Sequence, residues 1–166
     1  MCALNEVKGM RLFMKQILKF IIILLPWFLS SLTPIDKEYY NSLSLPWFTP
    51  PRMAYGIIWT IIYIGIAISI YQIINSYNKK DIPKSYKYTL LLNYIANQSF
   101  QPLFFLLKNN FLGFISCLLT FITSLFLYIE TKNLKESATK YLIPYILFSL
   151  FASILSLSIY LLNLTF

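Results

Sequence analysis

The fold class this sequence predicts is an all-α integral membrane protein, a single bundle of five transmembrane helices, and three observations predict it. The 166 residues are 58% hydrophobic, with a mean hydropathy of +0.64. Charged residues make up only 12% of them, against roughly 25% in soluble domains. The charges are also unevenly placed, leaving five charge-free runs at Phe20–Ile35, Met53–Asn78, Tyr88–Leu107, Asn109–Ile129 and Tyr141–Phe166. A bilayer core about 30 Å thick asks for about 20 mostly apolar residues per helix. Helices are the required form, because in lipid each backbone N–H and C=O must be bonded inside its own segment, and the sequence has no alternating barrel strands.

Taken in order, the helices are expected near 14–34, 53–77, 87–107, 110–130 and 138–163, within one domain spanning 1–166. The first run is the shortest and spans only when Lys15 and Lys19 bend their ammonium groups back to the interface. Lys19, the apolar stretch Phe20–Leu29 and the small residues Ser30 and Ser31 also fit a secretory signal peptide, which is the alternative for this run. Met1–Gly9 reads as a short polar extension, with Met10 as a second possible start. The connections are Asp36–Arg52, a polar loop at Lys79–Lys87, a tight turn near Lys108–Asn110 and a polar loop at Glu130–Lys140.

Five helices put the N-terminus, the second connection and the fourth on one side, with 11 of the 14 basic residues: Lys8, Arg11, Lys15, Lys19, Lys79, Lys80, Lys84, Lys87, Lys132, Lys135 and Lys140. The other side holds Lys37, Arg52 and Lys108. By the positive-inside rule the N-terminus is cytoplasmic and the C-terminus external. The net charge of +8 is split among loops instead of forming one basic face with interleaved aromatics, so no nucleic-acid partner is expected. Anionic membrane lipid accounts for it better. The chain has no His, and Cys2 and Cys117 lie far apart, so imidazole-ligated haem, zinc chemistry, Ser-His catalysis and a disulfide framework are not expected, and no cofactor or metal is. None of the five runs contains an ionisable Asp, Glu, Lys or Arg, which disfavours ion-coupled transport.

The runs carry uncharged polar and aromatic stripes instead. Tyr55, Trp59 and Tyr63 recur every four residues and share a helix face, as do Asn93, Asn97 and Gln101, with Gln98 and Phe100 flanking. In the last run Tyr145, Phe148, Ala152 and Ser156 set two aromatics beside two small residues. Turned inward, these faces would line a flat apolar slot with a few hydrogen-bonding groups. The competing reading is interhelical glue and simple packing, and Cys117 taken alone is a small core residue. The stretch Leu45-Pro46-Trp47-Phe48-Thr49-Pro50-Pro51-Arg52 stiffens the entry to the second helix, as an interfacial anchor or as a lid over the external mouth.

These residues resemble the translocator protein (TspO/MBR) family, also called tryptophan-rich sensory proteins or peripheral-type benzodiazepine receptors. The resemblance rests on Pro46, Trp47, Phe48, Pro50, Pro51, Gly56, Trp59 and Tyr63; on Asn97, Phe100, Pro102, Phe104 and Phe105; and on Pro144-Tyr145, Phe151-Ala152, Leu155 and Asn163. It implies a bacterial cell-membrane receptor, usually dimeric, that binds porphyrins such as protoporphyrin and benzodiazepine-site ligands beneath its first loop, with transport of them as one extension. On matching positions the implied ligand-binding residues are Tyr40, Pro50, Met53, Trp59, Tyr63, Asn97, Phe100, Cys117, Phe148, Phe151, Ala152 and Ser156. Asn97 and Tyr63 would supply the hydrogen bonds. The alternative is a light-dependent protoporphyrin-degrading enzyme with Trp59 as electron donor. Phe148, where the family has a tryptophan, argues against it, and Ser156 replaces a frequent Asn. The sterol motif of animal members ends in a basic residue, whereas Tyr160 is followed here by none.

Overall fold

The computed structural model describes residues 2–164, with side chains from Gly9 onward. Among these residues every regular element is helical: α1 (Cys2–Leu24), α2 (Lys37–Ser42), α3 (Arg52–Ser76), α4 (Lys84–Gln101), α5 (Asn110–Leu134), α6 (Glu136–Thr139) and α7 (Ile143–Leu162). The stretch read as a polar extension is helix from Cys2 on. Ala3, Leu4, Glu6, Lys8 and Arg11 are good helix formers, and no proline interrupts them.

Prolines reshape three of the expected helices. Pro26 has no N–H to donate and crowds the carbonyl four residues back, and at Leu25–Leu32 the α-helix tightens into a 3₁₀ segment. Gln98 of α4 serves the backbone groups this leaves: its Nε2 donates to the Trp27 carbonyl at 3.2 Å and its Oε1 accepts from the Ser30 N–H at 2.7 Å. Pro102 ends α4, and a π-helical turn follows at Pro102–Leu106. Lys108 then adopts a φ of 49°, unusual for a residue with a Cβ, and reverses the chain into α5. The last helix starts at Ile143, later than expected, because Pro144 is tolerated only in a first turn; the residues before it form the separate turn α6.

Among the described residues four segments are long and apolar enough to cross a membrane: Gly9–Leu32, Arg52–Ser76, Asn110–Leu134 and Ile143–Leu162. The expected third span, α4, is not among them, because Lys84, Lys87 and the amides Asn93, Asn97, Gln98 and Gln101 lower its hydropathy. The structure accordingly supports several membrane-spanning helices, one fewer than the five expected.

The bundle gathers around α5, which packs most extensively on α4 and α7, while α1 lies on α3 and its 3₁₀ segment on α4. Hydroxyls hold the inner helices at short range: Ser116 donates to the Ala96 carbonyl at 2.8 Å, Ser99 and Ser116 meet at 2.9 Å, and Ser124 and Ser149 at 3.4 Å. Small polar residues of this kind let backbones approach where lipid supplies no hydrophobic drive between helices. One core cluster is built on Trp27, Ile62, Tyr63, Ile66, Leu127 and Tyr145, and a second, nearer the first loop, on Phe104, Leu155 and Ile159.

Candidate functional site

The two core clusters meet along a column of aromatic rings. Trp59 stands edge-on to Phe148 with centroids 5.4 Å apart, Phe148 tilts on Phe151 at 5.7 Å, and Phe151 meets Phe48 of the first loop at 6.2 Å. At its deep end Trp59 also contacts Tyr63 at 5.5 Å and Tyr145 at 6.3 Å. The face spacing read in α3 and α7 thus brings Trp59, Tyr63, Tyr145 and Phe148 together, and Phe151, a position implied by the resemblance alone, joins them.

Beneath the column lies a hydrogen-bonded network that ties four helices and the 3₁₀ segment. Tyr63 donates to Asn97 Oδ1 at 3.1 Å, Gln98 Nε2 donates to the same oxygen at 2.9 Å, and Asn97 Nδ2 reaches the Tyr145 hydroxyl at 3.5 Å. Tyr145 donates to Asn93 Oδ1 at 3.0 Å, and Asn93 Nδ2 donates to Thr123 Oγ1 at 2.9 Å. Asn93 and Tyr145 are fully buried, so leaving either unpaired would cost about 1–3 kcal/mol. Asn97 and Tyr63, expected to bond a ligand, here bond each other. The polar stripe of α4 acts first as glue.

Buried polar atoms without a partner among the described residues occur at both ends of the bundle, with Ser69 Oγ, Tyr86 Oη and Thr131 Oγ1 toward the basic end and two more toward the first loop. Those two are Ser156 Oγ and Gln101 Oε1. Ser156 lies beside the buried Cys117. Ala152, half-buried, is one turn earlier on α7. Phe100 stacks on Phe104 at 5.2 Å, and Tyr40 tilts on Phe105 at 6.4 Å with the Arg52 guanidinium 4.7 Å from its ring. Pro50 is half-buried at the entry to α3. Met53 does not join: it is 83% exposed, because two residues before Tyr55 is about 200° around the helix from the aromatic stripe.

The loop above this region is tied down at three points. Asp36 forms an ion pair with Lys108 at 2.8 Å, Tyr39 donates to Asn110 Oδ1 at 2.6 Å, and Asn163 grips Ser44 by accepting from its N–H at 2.9 Å and donating to its carbonyl at 3.0 Å. The Lys108 ammonium, and then the Tyr39 N–H, hold the Asp36 carboxyl below its ordinary value, while the carboxylate raises Lys108. Partial burial raises the Tyr39 phenol. Trp47 is 95% exposed and borders an open groove of about 500 Å³ shared with Leu161 and Leu162 of α7.

Sequence reasoning passed over Trp27 and Gln98's grip on the first helix. Trp27 is buried against Tyr63 at 6.0 Å and edge-on to Tyr94 at 5.3 Å. Its signal was a single large aromatic directly after Pro26 in an otherwise aliphatic run.

Comparison with known proteins converges on one group. The sequence profile of the TspO/MBR family matches residues 20–162. The chain is 44% identical over 134 residues to the tryptophan-rich protein TspO of Bacillus cereus, covering 81% of this chain and 86% of that one. It is 41% identical over 133 residues to the uncharacterized membrane protein YtaB of Bacillus subtilis, covering 80% and 85%. A tryptophan-rich protein TspO of Archaeoglobus fulgidus is 31% identical over 133 residues, covering 76% and 81%.

Proposed function

The chain belongs to the TspO/MBR family, and from that premise we propose that it is a cell-membrane receptor that takes a porphyrin such as protoporphyrin between its helices beneath the first loop. The observation that carries this reading is the aromatic column from Trp59 through Phe148 and Phe151 to Phe48, flanked by the unpartnered Ser156 Oγ. A flat macrocycle gains most from stacked rings, and a buried hydroxyl with no partner is an open site for one hydrogen bond. Of the twelve site residues, Met53 has the least support and Trp59, Phe148, Phe151 and Ser156 the most. Binding in this reading requires Tyr40, Phe48 and their loop to move, because the rings now touch.

The same proposal includes a fifth span, a homodimer in the membrane, and an N-terminus on the cytoplasmic side. Support for the fifth span comes from α4 itself, whose Tyr88, Leu91, Leu92 and Ile95 form an exposed apolar stripe opposite its buried amides. Titration of protoporphyrin into the detergent-solubilised protein, followed by tryptophan quenching, tests the central reading. Saturable quenching supports it; no saturation at any accessible concentration refutes it. A second reading, light-dependent degradation of the bound porphyrin, is favoured by the contact of Trp59 with the oxidisable rings of Tyr63 and Tyr145.

A further inference from the structure

Away from the aromatic column, α1 and α3 leave an open groove of about 270 Å³ between them, lined by Phe13, Gln16, Ile17, Phe20 and Tyr71. The four α1 residues fall at i, i+3, i+4 and i+7, so they share one side of the helix. The groove belongs to the basic end of the bundle. Lys19 stands at its rim with its ammonium 5.8 Å from the centre of the Tyr71 ring, and donates to Asn75. Lys15, one turn earlier, is exposed. Beyond Asn75, Lys135 donates to Ser76 at 2.7 Å.

These cations are held by neutral groups. Among the described residues the ion pair present is Asp36 with Lys108, at the opposite end of the molecule. Tyr71 lies five residues before the end of α3, which places it about 8 Å along the axis from that end. That is the depth at which headgroups give way to acyl chains, and where amphipathic tyrosines and snorkelling lysines collect.

We propose that this groove is a binding site for one anionic phospholipid, with the phosphate at Lys15 and Lys19 beside Phe13, Gln16 and Ile17 and an acyl chain running inward along Phe20 and Tyr71. Charge complementarity selects the occupant. A zwitterionic lipid would bring its own ammonium toward Lys15 and Lys19, whereas an anionic headgroup meets only attraction. A second copy of this chain is a poor occupant, since a two-fold pairing across the groove would set Lys15 and Lys19 of both copies against each other. The site is separate from the proposed porphyrin site and stands or falls without it.

The test is native mass spectrometry of the protein released from neutral detergent, after equilibration with phosphatidylglycerol or with phosphatidylcholine of the same chains. The unaltered protein is expected to retain one phosphatidylglycerol in preference to phosphatidylcholine. Lys19→Gln should lower that retention about five-fold, Lys19→Arg should keep it, and Lys37→Gln, the same charge change in the first loop at the opposite end of the molecule, should leave it nearly unchanged. Equal retention of the two lipids would overturn the proposal, as would undiminished retention in Lys19→Gln or an equal fall in Lys37→Gln. So would efficient crosslinking of two copies through Gln16→Cys with no lipid bound.

Discussion

At Phe148 a single ring separates two activities. Phenyl offers stacking area, while an indole adds an N–H donor and a more easily oxidised ring. With Trp59 only 5.4 Å away, Phe148→Trp is expected to raise the rate of porphyrin loss under light while changing affinity by less than about 1 kcal/mol. Absorbance decay of the illuminated complex measures the rate, and equal rates in the two proteins would remove Phe148 from the explanation. Trp59→Ala should instead weaken binding by about 1–3 kcal/mol, as loss of a desolvated aromatic anchor does; unchanged affinity in the quenching titration would detach Trp59 from the site. Asn97 differs from both. Its oxygen already accepts from Tyr63 and Gln98, so Asn97→Ala should cost about 1–3 kcal/mol of folding stability without any ligand. A thermal melt equal to that of the unaltered protein would show the network to be dispensable. The residue types of this site were legible in the sequence because helical spacing brings Trp59 with Tyr63 and Phe148 with Ala152 whatever the surroundings. Which amides bond each other was not legible, since that depends on where a second helix lies.

Two glycines of α3 show how closely the elements are set. A methyl group at Gly65 would lie 2.6 Å from the Tyr141 carbonyl oxygen, a backbone atom that cannot swing aside, whereas one at Gly56 would meet nothing within 4 Å. Gly65→Ala is therefore expected to destabilise by about 1–3 kcal/mol, and Gly56→Ala to be neutral or stabilising by up to about 1 kcal/mol through helix propensity. Thermal unfolding in detergent reads both, and a tolerated Gly65→Ala would mean that the start of α7 can shift. The first loop makes a second prediction at this scale. Because Lys108 depresses the Asp36 carboxyl, the folded state binds the proton less readily than the unfolded chain does. The tether is then intact above the ordinary carboxylate range and is lost as the pH falls through and below it. Protection factors of the α2 amides, corrected for intrinsic exchange, should fall below about pH 4, and Asp36→Asn should abolish that dependence. A pH-independent loop in the unaltered protein would show that Tyr39 with Asn110 and Ser44 with Asn163 suffice. Helix ends at prolines were only partly legible: Pro144 marks a start and Pro26 a distortion, but that Pro26 yields a 3₁₀ segment depends on Gln98, far away in sequence.

For the molecule as a whole, the number of spans is decided by α4. Hydropathy scores a helix one residue at a time and counts every amide as a cost, yet Asn93 and Asn97 are buried and bonded, so their cost to a membrane helix is largely met inside the protein. Meanwhile Tyr88, Leu91, Leu92 and Ile95 present an apolar stripe outward. A helix that is apolar only on its outer side scores poorly and can still span. The count has a consequence for the chain ends: five spans put them on opposite sides of the membrane, four put them on the same side. Five spans would set 11 basic residues on one side and three on the other, which satisfies the positive-inside rule. An alkaline phosphatase reporter, active only outside the cytoplasm, is therefore expected to be active when fused after Phe166 and inactive when inserted in Lys79–Lys87. Inactivity at both positions would leave α4 outside the count of spans, activity at both would do the same with the orientation reversed, and activity in the loop alone would keep five spans in the reversed orientation.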